Sequence, residues 1–171
     1  MVSFRSSFRP RAGERAQTNL RVVLPVSGGS TDLRLLESVA RLCHRRKADV
    51  TLVYVVEVEQ SMPLDAELPE EVSSGEAVLR HAADTLRRES DSPAMHVFTE
   101  LLQARSAGAA IVDEATDKNA DVIMLGATLR LQFGHLTVGD TVDYVLKYAP
   151  CEVIVIRQAL PDLITESLEW S

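Results

Sequence analysis

At 171 residues, with 46% hydrophobic and 25% charged positions, the chain has the size and balance of one globular domain with a sizeable core. A net charge of −7 argues against a nucleic-acid-binding surface over the whole molecule, so no nucleic-acid partner is expected. No apolar run approaches about 18 residues, so no segment is expected to insert into a membrane.

Residues Met1 to Leu20 carry Arg5, Arg9, Arg11 and Arg15 against a single acid, Glu14, and lack the apolar stretch of a secretory signal. The segment 1–20 reads as a disordered basic tail or a linker in preference to a transit peptide. Strand and helix patterns then alternate. Arg21–Val26 (RVVLPV) is a buried strand, followed by the turn Ser27-Gly28-Gly29-Ser30, with Ser30 or Thr31 as the N-cap of a helix. That helix spans Asp32–Lys47 and buries Leu36, Val39, Ala40 and Cys43. Asp49–Val58 is a second strand rich in β-branched residues. Glu59–Ser73, with Pro63, Pro69 and several acids, is a loop with freedom to move. Ser73 and Glu76 form a capping box that starts the next helix, which runs to about Asp91.

Met95–Leu102 is a third strand, and Ala107–Lys118 a helix with Ala107, Ala110, Ile111 and Ala115 on one face. Asp121–Leu125 is a fourth strand, ending at Gly126. A long loop then leads to Gly139, which opens a helix over Asp140–Tyr148. Cys151–Arg157 is a fifth strand, and the acidic tail 158–171 holds the only tryptophan, Trp170. Five strands alternating with four helices give an α/β doubly wound parallel sheet, whose ligands sit beyond the carboxyl ends of the strands. The turn at Ser27–Ser30 and the loop Gly126–Asp140 then share a crevice if strands one and four are neighbours.

Cys43 and Cys151 lie within or beside elements and read as reduced packing residues of a cytoplasmic protein. His44, His81, His96 and His135 show no metal-ligand spacing, so no metal site is expected. There is no P-loop and no G-x-G-x-x-G fingerprint. G-x-S-x-G is also absent, so no catalytic residue is assigned. The amides of Gly28 and Gly29 can approach an anion closely, although a ligand-free βα turn has the same composition.

From Arg21 to Arg157 the chain resembles the universal stress protein family. The resemblance rests on RVVLPVSGG before an amphipathic helix, on ARSAGAAIVDEA, on ADVIMLGATLR and on VGDTVDYVLKYAPCEVIVIR. It implies a single domain over 21–157 and a five-stranded sheet in the order 3-2-1-4-5. This is a Rossmann-like fold of the adenine nucleotide alpha hydrolase type. ATP-binding members carry G-x2-G-x9-G-[ST] after strand four. Here Gly126 and Gly139 match the first and third positions. Leu129 stands where the second glycine belongs, and Asp140 where a hydroxyl belongs, although Thr141 follows. The aspartate that usually ends strand one is Ser27 in this chain.

The cofactor-binding residues implied are Pro25, Val26, Ser27, Gly28 and Gly29 at the first turn, and Val55 on the second strand. After strand four come Gly126, Thr128, Arg130, Gly139, Asp140 and Thr141. Arg130 and Thr128 are compensating phosphate contacts, with a solvated arginine as the alternative for Arg130. Leu129 adds bulk where backbone should approach phosphate. At about 4 Å and an effective dielectric near 20, the Asp140 carboxylate would repel a phosphate by roughly 4 kcal/mol unless Mg²⁺ bridges them. Weakened binding of ATP follows, with ADP, AMP or a cyclic nucleotide open as ligands.

The resemblance also implies a homodimer, paired through the apolar edge strand Val153–Ile156, with the tail Pro161–Ser171 folding back over that edge as the alternative. The same residues look like the variant attached to membrane transporters, which makes such a transporter a possible partner. The expected role is a stress-response regulator that binds nucleotide in a degenerate site and acts through partner contacts. The alternatives are a dimeric interaction module without nucleotide and a slow ATPase. The ATPase is disfavoured because no general base or P-loop lysine lies beside the glycine loop.

Overall fold

The computed structural model describes residues 19–90, 92–132 and 135–157, and for 130–132 and 135–136 it describes the backbone. Of the basic tail expected over 1–20, residues 1–18 fall outside the described residues, as does the acidic tail over 158–171, while Asn19 is bonded to Asp49 and Leu20 already belongs to the first strand. The elements in chain order are β1 (Leu20–Pro25), α1 (Asp32–Leu42), β2 (Ala48–Glu57), α2 (Pro69–Glu89), β3 (Met95–Ala104) and α3 (Ala107–Asp117). They are followed by β4 (Val122–Ala127), β5 (Arg130–Gln132), β6 (His135–Thr137), α4 (Asp140–Tyr148) and β7 (Glu152–Arg157).

The main sheet is parallel, in the order β3-β2-β1-β4-β7. This is the expected 3-2-1-4-5, with β7 as its fifth strand. The difference lies in the long loop after β4, which contains a small antiparallel hairpin of β5 and β6.

The central strands are apolar on both faces, because helices cover both. On β1, Val22 and Leu24 point into a core with α1 and α2, where Leu35, Leu36, Val39, Leu79 and Leu86 meet them. Val23 points the other way, into a second core with Ile111, Ile123, Leu125, Val142 and Val145. Alternation along β4 follows the same rule, with Val122 and Met124 in the first core and Ile123 and Leu125 in the second. The start of β1 is tied laterally. The Asn19 side-chain amide donates to both carboxylate oxygens of Asp49, at 2.9 and 3.1 Å, and the Arg21 N–H donates to Asp121 at 2.9 Å.

Two helix boundaries differ from expectation. α1 ends at Leu42, not Lys47. The buried Cys43 is its C-cap, and His44, Arg45 and Arg46 offer nothing apolar to a further turn. The chain instead turns through Arg45 at φ +58° so that the fully buried Ala48 can enter β2. α2 begins at Pro69, so the Ser73–Glu76 capping box does not form and Ser73 lies inside the helix. Proline at the first helical position lacks only an N–H that would be unpaired anyway, and Glu70 and Glu71 complement the positive end.

The connection from β2 to α2 is held in place. The Arg105 guanidinium donates to the carbonyl oxygens of Val58, Glu59 and Met62, and the Gln103 side chain donates to that of Ala66. Burial pushes the Cys43 thiol up to about 11 and raises Cys151 as well, which suits unreactive packing thiols.

Gly75, in the interior of α2, admits the Tyr54 ring: a Cβ there would stand 2.6 Å from one ring carbon and 2.8 Å from another. Gly75→Val is expected to cost about 2 kcal/mol through overpacking, despite the better helix propensity. Calorimetry should show Tm falling by roughly 4 to 8 °C. An unchanged Tm would mean that Tyr54 moves aside freely.

Candidate functional site

In a parallel sheet each strand ends on the same side, and each following helix starts there. β1 and β4 are registered at Val22–Val122 and Val23–Ile123, whereas β1 and β2 are registered over six positions. The chain leaves β1 toward one face of the sheet and β4 toward the other. A cavity of about 560 Å³ lies at this change of direction.

Nine of the twelve residues singled out from the sequence line it. Pro25, Val26 and Ser27 come from the end of β1, and Val55 from β2. Gly126 and Thr128 follow β4, and Gly139, Asp140 and Thr141 form the start of α4. The first turn and the long loop therefore meet in one crevice, although about a hundred residues separate them. Gly28 and Gly29 do not line the cavity. The side chain of Arg130 lies outside the described residues, so its two readings stay as they were. Leu129 is half-buried, does not line the cavity and does not adopt a positive φ.

The first turn corrects the expectation of free glycine amides. The Asp32 carboxylate accepts from the Ser27 and Gly28 N–H groups at 2.9 and 2.7 Å, and Ser27 Oγ accepts from Gly29 N–H at 3.3 Å. Those donors already have partners. Thr31 is the N-cap of α1, but its hydroxyl makes no capping bond; the acid one residue later closes the turn instead. Gly28 sits at φ +78°, as this turn requires, and a Cβ there would also stand 3.0 Å from Val78 Cγ2.

A second carboxylate was missed from the sequence. Glu57, at the end of β2, accepts the N–H of Ala107, the first residue of α3, at 2.8 Å. Ser106 Oγ accepts from Ala109 N–H at 3.4 Å. Nothing local marks Glu57, because its partner is fifty residues away. Asp32, Glu57 and Ala107 all line the cavity, as do Tyr54 and Thr31.

The start of α4 is different. Gly139 is its N-cap at φ +88°, its own N–H donates to Thr137 Oγ1 at 3.0 Å, and among the described residues no side chain caps the helix. The first N–H groups of a helix have no partner within it, and the helix dipole places partial positive charge there. Backbone donors at this end of the cavity are thus open toward an anion, beside the Thr141 hydroxyl and the exposed Asp140 carboxylate.

With this geometry in place, comparison with known proteins is decisive on ancestry. The model of the universal stress protein family matches residues 18–157. The chain belongs to the universal stress protein family. A universal stress protein of Methanocaldococcus jannaschii is 26% identical over 142 residues, covering 81% of this chain and 82% of its own. The solved structure of an Archaeoglobus fulgidus universal stress protein superposes with a TM-score of 0.67 at 22% identity, covering 81% of this chain and 99% of that one. A universal stress protein from the same organism, solved in complex with dAMP, gives 0.61 at 21% identity, covering 80% and 97%. At such identities the structures establish the shared fold.

Within this family fold, Gly126 has a packing reason of its own. A Cβ on Gly126 would lie 2.9 Å from Thr31 Oγ1 and 3.1 Å from Thr31 Cβ. Gly126→Ala should therefore destabilise by about 1 to 3 kcal/mol, and adding Thr31→Ala should restore part of the loss. A double-mutant cycle by denaturant unfolding checks this; strictly additive effects would refute the contact as the cause.

Proposed function

We propose that this protein is a cytoplasmic regulator that holds an adenine nucleotide in the cavity between β1 and β4. It acts by changing its contacts with partners, not by catalytic turnover. The observation carrying this reading is the meeting of the β1 turn with the uncapped α4 start at one cavity on the strand-order switch. The dAMP complex of the Archaeoglobus fulgidus protein supports an adenine nucleotide as the ligand class.

In this reading the Val26 and Val55 region faces the nucleoside, and Thr128, Gly139 and Thr141 face phosphate. ATP, ADP and AMP are the ligands to test, with Mg²⁺. Magnesium prefers oxygen donors and usually shares them with phosphate, a preference Asp140 can serve. Among the described residues no group of three His, Cys, Asp or Glu could hold a metal alone, so a magnesium ion would arrive with the nucleotide.

Thermal unfolding of dialysed protein against millimolar Mg-ATP, ADP, AMP and cyclic nucleotides tests the reading. A ligand at about 100 times its Kd adds about 2.7 kcal/mol, a Tm rise of roughly 5 to 10 °C for this size. Unchanged Tm with every nucleotide would remove the sensor role and favour an interaction module that no longer binds nucleotide.

Assembly belongs to the same proposal. Among the described residues β7 pairs only with β4, and it carries Ile154, 37% exposed, between the half-buried Val153 and Val155. An apolar edge of this kind is normally covered, and a second copy of the same strand covers it symmetrically. Light scattering should give a dimer for the wild type and a folded monomer for Ile154→Asp. A monomeric wild type would overturn the assignment. The likeness to transporter-attached members makes the cytosolic side of a membrane transporter the partner to seek by pull-down.

A further inference from the structure

Two helices on one face cannot cover five strands evenly. On the face of the second core, Val53 and Val55 of β2 and Leu102 of β3 pack with Ile111 and Ala115 of α3. Side chains alternate along a strand, so Val23, Asp49, Thr51, His96, Phe98 and Glu100 look out on that same face nearer the strand starts. Cover is missing there. Phe98 is 51% exposed beside the buried Thr51 and Val23. A cleft of about 200 Å³ is lined by Arg21, Val23, Asp49, Thr51, Phe98 and Lys118. It lies at the opposite end of the strands from the nucleotide cavity. Its volume falls below the roughly 300 Å³ at which small-molecule sites begin, and suits a side chain.

We infer that the segment before Asn19 is the missing cover, crossing the start of β2 and β3 with the Phe8 ring against Phe98. The first contact of that segment with the cleft wall is already made: Asn19 donates to both carboxylate oxygens of Asp49, at 2.9 and 3.1 Å. Reach is ample. Val23, Thr51 and Phe98 are level with one another across β1, β2 and β3. Phe98 therefore stands about 10 Å across and about 13 Å along the sheet from Asn19. Phe8, eleven residues before Asn19, can span up to about 36 Å.

Charge points the same way. Asp49, Asp121, Glu100 and Glu114 are joined around the cleft to Arg21, Lys118 and His96, a rim that stays negative even with His96 protonated. The segment brings Arg5, Arg9, Arg11 and Arg15 against Glu14 alone. A second copy meeting this face symmetrically would instead set two negative rims against each other.

Photocrosslinking of the full chain tests this. A Phe8→p-benzoylphenylalanine variant is irradiated in an excess of isotopically heavy wild-type chain, without nucleotide, and the joined peptides are identified by mass. Adducts within one light chain, to residues 48–57 or 95–104, are expected. Adducts to the heavy chain would assign the cleft to a second copy, and adducts elsewhere or none would leave it uncovered; each overturns the inference. A double-mutant cycle checks the packing: Phe8→Ala and Phe98→Ala should each lower Tm by about 2 to 4 °C, and the pair by no more than either alone. Wild-type Tm for Phe8→Ala, or additive losses, would overturn the ring contact. Position 8 precedes the sheet, so the crosslink remains decisive even if Phe98→Ala does not fold. Neither readout depends on the nucleotide cavity, so the two readings stand or fall separately.

Discussion

Everything at the candidate site follows from the burial of β1 between β2 and β4. Because β1 is covered on both faces and both edges, the chain must leave it toward α1 and α2, while β4 leads to the opposite face. Parallel pairing then forces the helices after β1, β3 and β4 to begin on one side of the sheet. Three positive helix ends around one hollow are a consequence of topology, whatever the side chains there are. The question the sequence answers locally is how each end is neutralised.

This chain answers with its own acids. A helix start without partners leaves several N–H groups unsatisfied, and burying them has a cost on the order of a hydrogen bond each. Asp32, in the first turn of α1, meets the like demand of the turn before it, by bending back to the Ser27 and Gly28 amides. Glu57 meets it across the fold, by joining the end of β2 to the start of α3. The two acids therefore contribute to the architecture before any ligand is considered. Asp32 and the Ser27 hydroxyl, which hold the Gly28 and Gly29 amides, are also why those glycines serve backbone geometry and not the cavity.

Much of the fold was legible because burial on both faces writes itself as short, uninterrupted apolar runs. RVVLP, DVTLVYVV and DVIML are such runs, and the helices between them carry their apolar residues at helical spacing. Boundaries were less legible where two signals competed. Pro69 and Ser73 both mark helix starts, and the proline prevailed because it begins the helix one turn earlier. α1 stopped short because the buried Cys43, its C-cap, comes well before the last good helix former. The hairpin of β5 and β6 was hidden by the mixed composition of its loop. The role of Glu57 was invisible in principle, since a contact fifty residues long depends on the whole sheet being assembled.

The contact between Gly126 and Thr31 bears on how such chains are classified. That glycine is required where α1 passes close over the end of β4, so selection can preserve it in a lineage that has stopped meeting any phosphate. A signature that counts glycines after strand four would credit this chain with a match that packing alone explains. Gly139 is the converse case: among the described residues nothing crowds its missing side chain, and its left-handed backbone is what asks for glycine. Of the two retained glycines, packing thus requires the first and backbone conformation the second.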